Sequence, residues 1–204
     1  MPTFQIDKYE VTVALYRRCV DAGSCGPPIG GYQCTWDENG KEDHPVDCMW
    51  WNSAGNFCAW AGKRLCSESE WEKAARGTDG RKYPWGNETA TCEYAVMNDG
   101  SGQGCGTEGT MAVGSKPAGA SPYGALDMAG NAMEWVEDDY HPTYTEAPTD
   151  GSAWVDSPRA GNRSIRGGSF ARIVGVLYSS FREYDFPWEG SLLKEPGVRC
   201  CRTP

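Results

Sequence analysis

Ten cysteines are the feature that most restricts how this 204-residue chain can fold. Six of them fall into local pairs that enclose short segments: Cys19 with Cys25, Cys34 with Cys48, and Cys92 with Cys105. Structural zinc sites use cysteines roughly two to four residues apart together with histidines, and His44 and His141 are the only histidines. We therefore predict disulfides rather than a metal–thiolate site. Disulfides persist in oxidising compartments or thermophilic cytosols, and here they favour an extracytoplasmic or cell-surface location.

The composition indicates a single loop-rich domain over residues 1–204. The 26 glycines and 13 prolines favour turns, while nine tryptophans and ten tyrosines supply enough apolar surface for a packed core. A formal charge of −9 disfavours a nucleic-acid partner, because no basic stripe is present to neutralise phosphates. No apolar run approaches the length of a transmembrane helix, and the first residues lack the regions of a signal peptide. We expect neither a membrane span nor a signal peptide in this chain.

The first third of the sequence contains the clearest secondary-structure signals. Residues 4–12 alternate in polarity and predict a strand, and the apolar spacing that follows predicts a helix with Thr12 as its N-cap. A second helix is predicted to start at Asn52 or Ser53 and to stop at Gly62.

A third helix is marked by a capping box formed by Ser67 and Glu70, with Gly77 just past its end. This role makes Glu70 a structural residue rather than a catalytic one. After Gly77 the sequence consists of turns and short segments, so we predict few helices and modest sheet.

Seven segments, taken in order, carry a resemblance to a known family: IDKYEVT, HPVDCMWWNSAGNFCAWAGKRL, SESEWEKAARG, YPWGNE, VGSKPAGASPYGALDMAGNAMEW, IRGGSF and GVRCCR. Together they resemble the formylglycine-generating enzyme (sulfatase-modifying factor) family over about residues 4–202. The resemblance implies an irregular, loop-rich α+β domain related to the C-type lectin fold.

The family's enzymes bind copper with a cysteine pair that lies three and eight residues past the serine of the RGGS turn. In this chain those positions are Arg172 and Leu177, and no cysteine lies between Cys105 and Cys200. Copper(I) requires soft thiolate ligands, which neither residue offers. The iron-dependent sulfoxide synthases that share the fold need a histidine and carboxylate cluster, which two histidines cannot supply. We therefore expect no copper and a chain that is not an enzyme.

Non-catalytic members of this family include the variable proteins of diversity-generating retroelements, in which the segment after the RGGS turn is mutagenised at exposed positions. Here the corresponding segment, 170–195, is rich in aromatic residues, which binding surfaces favour. Phe170, Leu177 and Phe181 are predicted to belong to the core. The predicted contacts to a protein or glycan ligand are Arg172, Tyr178, Arg182, Tyr184, Asp185, Trp188 and Glu189.

The stretch LDMAGNAMEW resembles a calcium site of the family. By position, Asp127 and Glu134 would supply side-chain oxygens, and Gly130 and Ala132 would supply backbone carbonyls, a donor set that suits structural calcium. The alternative is a turn in which the two carboxylates cap backbone amides. The resemblance does not extend to the family's second calcium site, because the side-chain ligand that the family has there is missing at 94–96.

The resemblance also pairs Cys58 with Cys200. It leaves Cys66 and Cys201 close to that pair, so we expect a second bridge beside the first. Two such bridges would hold the C-terminal segment to the body of the domain.

The leading hypothesis is a non-enzymatic binding protein that displays a diversified C-terminal face on a rigid scaffold. One alternative is a sensor or binding domain cut from a larger bacterial protein. Another is an oxidoreductase of the same family with an unrecognised site, for which His141 beside Asp138 and Asp139 is the one suggestive group.

Overall fold

A computed structural model describes residues 1–31, 33–188 and 193–204. The helices are α1 Val13–Asp21, α2 Trp51–Trp60 and α3 Glu68–Arg76. The strands are β1 Gln5–Ile6, β2 Arg64–Leu65, β3 Met133–Asp139, β4 Arg163–Arg166, β5 Glu183–Asp185, β6 Pro196–Gly197 and β7 Cys200–Arg202. The described residues contain no helix that is long and apolar enough to cross a membrane.

The three helices form where the local signals predict them. The Thr12 hydroxyl accepts a hydrogen bond from the Leu15 amide at 3.2 Å and so caps α1. At α3 both bonds of the capping box are present, between the Ser67 and Glu70 side chains and each other's backbone amides. Helix α2 begins at Trp51, one residue before the predicted start, and has no side-chain cap.

Seven short strands make two sheets. One sheet has the order β1-β7-β2 and is antiparallel, and the other has the order β5-β4-β3-β6 with β3 and β6 parallel. The strand predicted over 4–12 is wrong in length, because only Gln5–Ile6 pair with β7. Further along, the Val11 amide donates to the Val198 carbonyl and the Val11 carbonyl accepts from the Val46 amide. The backbone therefore bends here and does not continue as one long strand.

All ten cysteines form disulfides, as predicted, with the five expected pairings. Cys58–Cys200 joins α2 to β7, and Cys66–Cys201 lies beside it across the same strand. They close stretches of 142 and 135 residues. In the chain-entropy model each stabilises the fold by at most about 4–5 kcal/mol. Five disulfides are typical of proteins from oxidising, extracytoplasmic environments.

A fully buried ion pair links the two sheets. The Arg199 Nε lies 3.0 and 2.9 Å from the two carboxylate oxygens of Glu134 on β3, and Trp71 of α3 donates to the same carboxylate at 2.6 Å. Arg199 Nη2 also donates to Glu134 at 2.8 Å, and the other guanidinium hydrogens reach three backbone carbonyls, those of Asp7, Lys8 and Leu126.

Two more buried carboxylates surround this pair. Burial raises the pKa of Glu10 well above its usual value, and the charges of Asp127 and Glu134 raise it further, while Arg199 lowers it. Arg199 is therefore the cation that three buried acids share.

Replacing this cation tests its importance. We expect Arg199→Met to lower the free energy of unfolding by about 3–5 kcal/mol, because the substitution leaves buried acids without a partner. The measurement is guanidinium unfolding with the disulfides intact. The control is Arg76→Met, which removes the partly exposed Arg76–Glu72 pair and should cost less than about 1 kcal/mol. If Arg199→Met lowers the free energy of unfolding by no more than the control does, Arg199 is not the cation on which the buried acids depend.

Candidate functional site

The RGGS turn directs the chain from β4 into the C-terminal segment. Gly168 has φ +68°, and a Cβ there would lie 2.7 Å from the Leu177 side chain and 3.0 Å from the Val176 carbonyl, so the close approach requires glycine. Phe170 and Leu177 are buried, as predicted, whereas Phe181 is only partly buried. The first part of the segment is therefore packed into the body.

The two positions of the family's cysteine pair are occupied by residues that do not fit copper. Leu177 is fully buried, and Arg172 lies 3.2 Å from Glu183 and 3.5 Å from Glu195. Every cysteine is in a disulfide, so no thiolate pair is available at this place or elsewhere. A polar cavity of about 250 Å³ lies beside the Arg172–Glu195 ion pair. Its lining includes Gln33, Gln103, Lys194 and Glu195.

Side chains alternate between exposed and buried along the end of this segment. Tyr184, Phe186 and Trp188 are 49%, 43% and 51% exposed, whereas Asp185 is 4% exposed and Pro187 is buried. Strand β5 forms an edge of the four-stranded sheet, paired on one side with β4. Alternate residues of an extended chain point to opposite sides. We call Tyr184, Phe186 and Trp188 the aromatic row.

The aromatic row includes one residue absent from the predicted contacts, Phe186. The two-residue period of Tyr184, Phe186 and Trp188 is visible in the sequence and could have identified it. Tyr140, also not predicted, extends the row, since its ring centroid lies 4.3 Å from that of Tyr184. Tyr178 is exposed, as expected, and its ring contacts Tyr83.

Two of the predicted ligand contacts, Asp185 and Arg182, are not exposed, so the expectation that their side chains face solvent was wrong. Asp185 accepts hydrogen bonds from the amides of Phe186 at 2.7 Å and Leu193 at 2.9 Å, so its carboxylate is occupied by the backbone. The Arg182 side chain is 10% exposed and binds Glu68 with two of its nitrogens. Arg172 is partly buried, and Glu189 lies outside the described residues.

Glu68, at the start of α3, is the centre of a buried network behind β5. Its carboxylate contacts Arg182 and also Arg166, whose Nη1 lies 3.2 Å away. Burial raises the pKa of Glu68, but the hydrogen bonds from Arg182 and the charges of both arginines outweigh it and hold that pKa below its usual value. Arg182 also lies over the Tyr144 ring, 4.3 Å from its centroid.

A cleft of about 370 Å³ opens next to this network, with Tyr144, Trp154 and Asp138 among its lining residues. Burial raises the pKa of Asp138 to about 7. Its two carboxylate oxygens accept from the amides of Glu68 at 2.7 Å and Trp154 at 2.8 Å, so it caps the first turn of α3.

The ring of His141 lies 3.1 Å, at Nδ1, from the Asp139 backbone carbonyl, but the carboxylates of Asp138 and Asp139 bond to other described residues. The imidazole stacks on Trp154 at 3.6 Å between ring centroids, and its Nε2 lies 3.1 Å from Asp156. Asp139 instead pairs with Arg159 and Arg163. The two adjacent acids, Asp138 and Asp139, therefore have structural partners of their own.

The two carboxylates of the calcium motif have protein partners, whereas the bonds made by Gly130 and Ala132 involve their amides and not the carbonyls predicted as ligands. Both oxygens of Glu134 accept from Arg199, and an oxygen of Asp127 accepts from the Gly114 amide at 2.6 Å. The amide of Gly130 donates to Gly167, and that of Ala132 donates to Glu10 at 2.8 Å. As placed, Glu134 does not fit the role of a calcium ligand; calcium at this motif stays a prediction from the resemblance and requires Glu134 to leave Arg199.

Comparison with known proteins shows the family. A family model described as "Sulfatase-modifying factor enzyme 1-like domain" matches residues 1–204. Hercynine oxygenase from Mycobacterium tuberculosis is 37% identical over 163 residues, which is 77% of this chain and 36% of the relative. Formylglycine-generating enzyme from Streptomyces coelicolor is 37% identical over 144 residues, which is 66% of this chain and 44% of the relative. The chain thus spans less than half the length of these two relatives.

Solved structures confirm the predicted fold class. PvdO from Pseudomonas aeruginosa superposes with a TM-score of 0.82 and 28% identity, covering 98% of this chain and 80% of that one. Treponema denticola variable protein 1 superposes with a TM-score of 0.74 and 21% identity, covering 98% of this chain and 84% of that one. At that identity the likeness shows a shared fold.

The prediction that the chain is not an enzyme is overturned by these comparisons. The Mycobacterium tuberculosis and Streptomyces coelicolor relatives are both named as enzymes, one of them an oxygenase. Arg172 and Leu177 remove the copper–thiolate chemistry, and two histidines are too few for the iron cluster, but the lack of these two ligand sets does not exclude catalysis by other groups.

The Glu68 network leads to a prediction about acid stability. We expect Arg182→Met to destabilise the fold by about 1–3 kcal/mol at neutral pH, because Glu68 loses charged hydrogen bonds. A carboxyl with a depressed pKa stabilises the fold above its ordinary value, here 4.5, and loses that contribution as the pH falls through its folded pKa. The difference between wild type and variant should therefore shrink below about pH 4.5.

Denaturant unfolding at a series of pH values measures this difference. Arg18→Met is the matched control, since Arg18 is exposed and has no carboxylate partner among the described residues. If the difference in unfolding free energy between wild type and Arg182→Met stays constant from neutral to acid pH, the Glu68–Arg182 ion pair is not its cause.

Proposed function

Because this chain belongs to the sulfatase-modifying factor enzyme 1-like domain family, we propose that it binds a ligand through the aromatic row of its C-terminal segment. The proposal concerns recognition at Tyr184, Phe186 and Trp188. It applies equally to a receptor-like protein and to an enzyme of this family, since both need a surface that selects the ligand.

The alternation of burial from Tyr184 to Trp188 is the observation that carries the proposal. Three large rings are exposed within five residues, while the two residues between them are buried. Exposed aromatic groups cost free energy in water, and clusters of them on a soluble protein mark surfaces that another molecule covers. Tyr and Trp also offer large contact areas with few rotatable bonds, so little entropy is lost on binding.

The aromatic row is held by a rigid frame, which favours recognition. Strand β5 pairs with β4, Asp185 accepts hydrogen bonds from the amides of Phe186 and Leu193, and Phe170 and Leu177 lie in the interior. A surface that is ordered before binding loses less conformational entropy in the complex. Exposed positions on such a frame can also change without disturbing the core.

The same geometry supports the hypothesis of diversification. The exposed side chains can vary among copies of the gene while the buried ones cannot, as expected for a variable protein of a diversity-generating retroelement. The shared fold with the Treponema variable protein is compatible with this interpretation. The ligand class is a protein surface or a glycan, both of which aromatic rings recognise.

The row also lies next to the positions of the family's cysteine pair. Glu183, which pairs with Arg172, immediately precedes Tyr184 on β5. Because successive side chains of a strand point to opposite faces, Glu183 and its ion pair with Arg172 face away from Tyr184 and support β5 rather than contact a ligand on the row.

Sequencing the gene in its source population tests diversification. We expect substitutions at the exposed positions Ile173, Tyr178, Tyr184, Phe186 and Trp188, because changes there leave the fold intact. The buried positions within the same segment serve as the internal control and should be constant: Phe170, Leu177 and Asp185. Substitutions spread evenly over the whole gene would contradict diversification and leave a fixed ligand.

Binding assays test recognition itself. The chain would be screened against immobilised glycans and purified surface proteins, and Trp188→Ala and Tyr184→Ala should each weaken any specific binding by roughly 5–30-fold. Tyr123→Ala is the matched control, since Tyr123 is 59% exposed but lies outside the C-terminal segment. A specific ligand whose affinity does not change in either row variant would refute the proposal.

A further inference from the structure

A second polar cavity, of about 260 Å³, lies between two loops, one closed by a disulfide and one that directly follows a disulfide. One loop is closed by Cys34–Cys48, and the other follows the Cys92–Cys105 bridge. The cavity is lined mainly by oxygen-bearing side chains: Gln33, Thr35, Glu38, Asp47, Glu108 and Thr110. None of these residues belongs to the calcium motif described above.

Asp47 is the buried acid of this cavity, with no exposed surface. Its Oδ1 accepts from the Thr35 amide at 2.8 Å and lies 2.9 Å from the Thr35 hydroxyl. That hydroxyl is also 2.8 Å from the Pro45 carbonyl, and its single hydrogen serves one of the two acceptors at a time. The other oxygen, Oδ2, is buried and has no hydrogen-bond partner among the described residues.

No cation of the described chain compensates this carboxylate. Lys41 also lines the cavity, but its ion pair is with Glu38, at 3.8 Å. Glu38 and Glu108 add further negative charge to the same space. Burial without a counter-charge raises the pKa of Asp47 to about 7, which shows how poorly the protein alone stabilises the ionised form. A buried, unpaired carboxylate oxygen needs either a proton or a cation.

We propose that this cavity binds a hard divalent cation of the calcium class, with Asp47 Oδ2 as the buried ligand and Glu108 as a second acidic ligand. The disulfide sulfurs of Cys34 and Cys48 lie within 4.8 Å of the Asp47 carboxylate, but they are bonded to each other and are not thiolates. The remaining donors are carboxylate, hydroxyl and amide oxygens, which Ca²⁺ prefers. Water completes its coordination through the open side of the cavity.

The cation would link the loop closed by Cys34–Cys48, which contains Asp47, to the segment after Cys105, which contains Glu108. Gln33 lines both this cavity and the one beside Glu195, and the Cys48 amide donates to the Lys194 carbonyl at 2.9 Å. Binding would therefore order loops that border the C-terminal segment. The site does not depend on the proposed ligand recognition.

Calcium binding to the full chain, with disulfides intact and after treatment with a chelator, tests the site. We expect Asp47→Asn to lower the affinity for Ca²⁺ at one site by at least about tenfold, and Glu108→Gln to lower it by a smaller factor. Asparagine keeps an acceptor for the Thr35 amide, and Glu108 is exposed, so both variants should fold. Isothermal titration calorimetry gives the stoichiometry and the affinities.

Asp127→Asn is the matched control, because it alters the separate calcium motif. If the site is at Asp47, the Asp127 variant keeps the calcium affinity that the Asp47 variant loses. Wild type that binds no Ca²⁺ at millimolar concentration overturns the proposal. So does calcium binding that is lost with Asp127→Asn and unchanged with both Asp47→Asn and Glu108→Gln.

Discussion

The buried Arg199–Glu134 ion pair is the interaction on which most of the architecture depends. Arg199 precedes β7 of one sheet and Glu134 lies on β3 of the other, so the pair joins the two sheets directly. Its other hydrogens bond the backbone near β1 and the loop before β3. A domain with such short strands has few ladder hydrogen bonds, and a charge shared among distant segments replaces them. The Cys58–Cys200 and Cys66–Cys201 bridges fix the same strand covalently.

This central arrangement does not depend on the exposed side chains of the C-terminal segment. The segment leaves the core at the RGGS turn, returns to the sheet as β5 and is held there by buried contacts, including that of Arg182 with Glu68. Its stability therefore does not come from the aromatic row. Tyr184, Phe186 and Trp188 can face solvent because neighbouring residues supply the packing. Separation of scaffold from surface is what allows one fold to carry different ligands or reactions.

Local chemistry explains which features the sequence predicts well. Helices α1 and α3 are marked by caps within the first turn, Thr12 and Ser67, and these act over three or four residues. Strand lengths depend on distant partners, which is why the first strand is shorter than predicted. The burial of Arg182 and Asp185 was missed for the same reason, because their partners are a helix start and a loop amide elsewhere in the fold. The mistaken exclusion of catalysis came from treating two absent ligand sets, the cysteine pair and the histidine cluster, as decisive.

The most direct measurement of the central claim is hydroxyl-radical footprinting of the chain with and without a bound ligand, read by mass spectrometry. Without ligand, Tyr184, Phe186 and Trp188 should oxidise much faster than the buried Phe170 and Leu177. Addition of a ligand should then protect the three aromatic residues. Protection confined to the cleft beside α3, with the aromatic row still reactive, would contradict the claim that this row is the recognition surface.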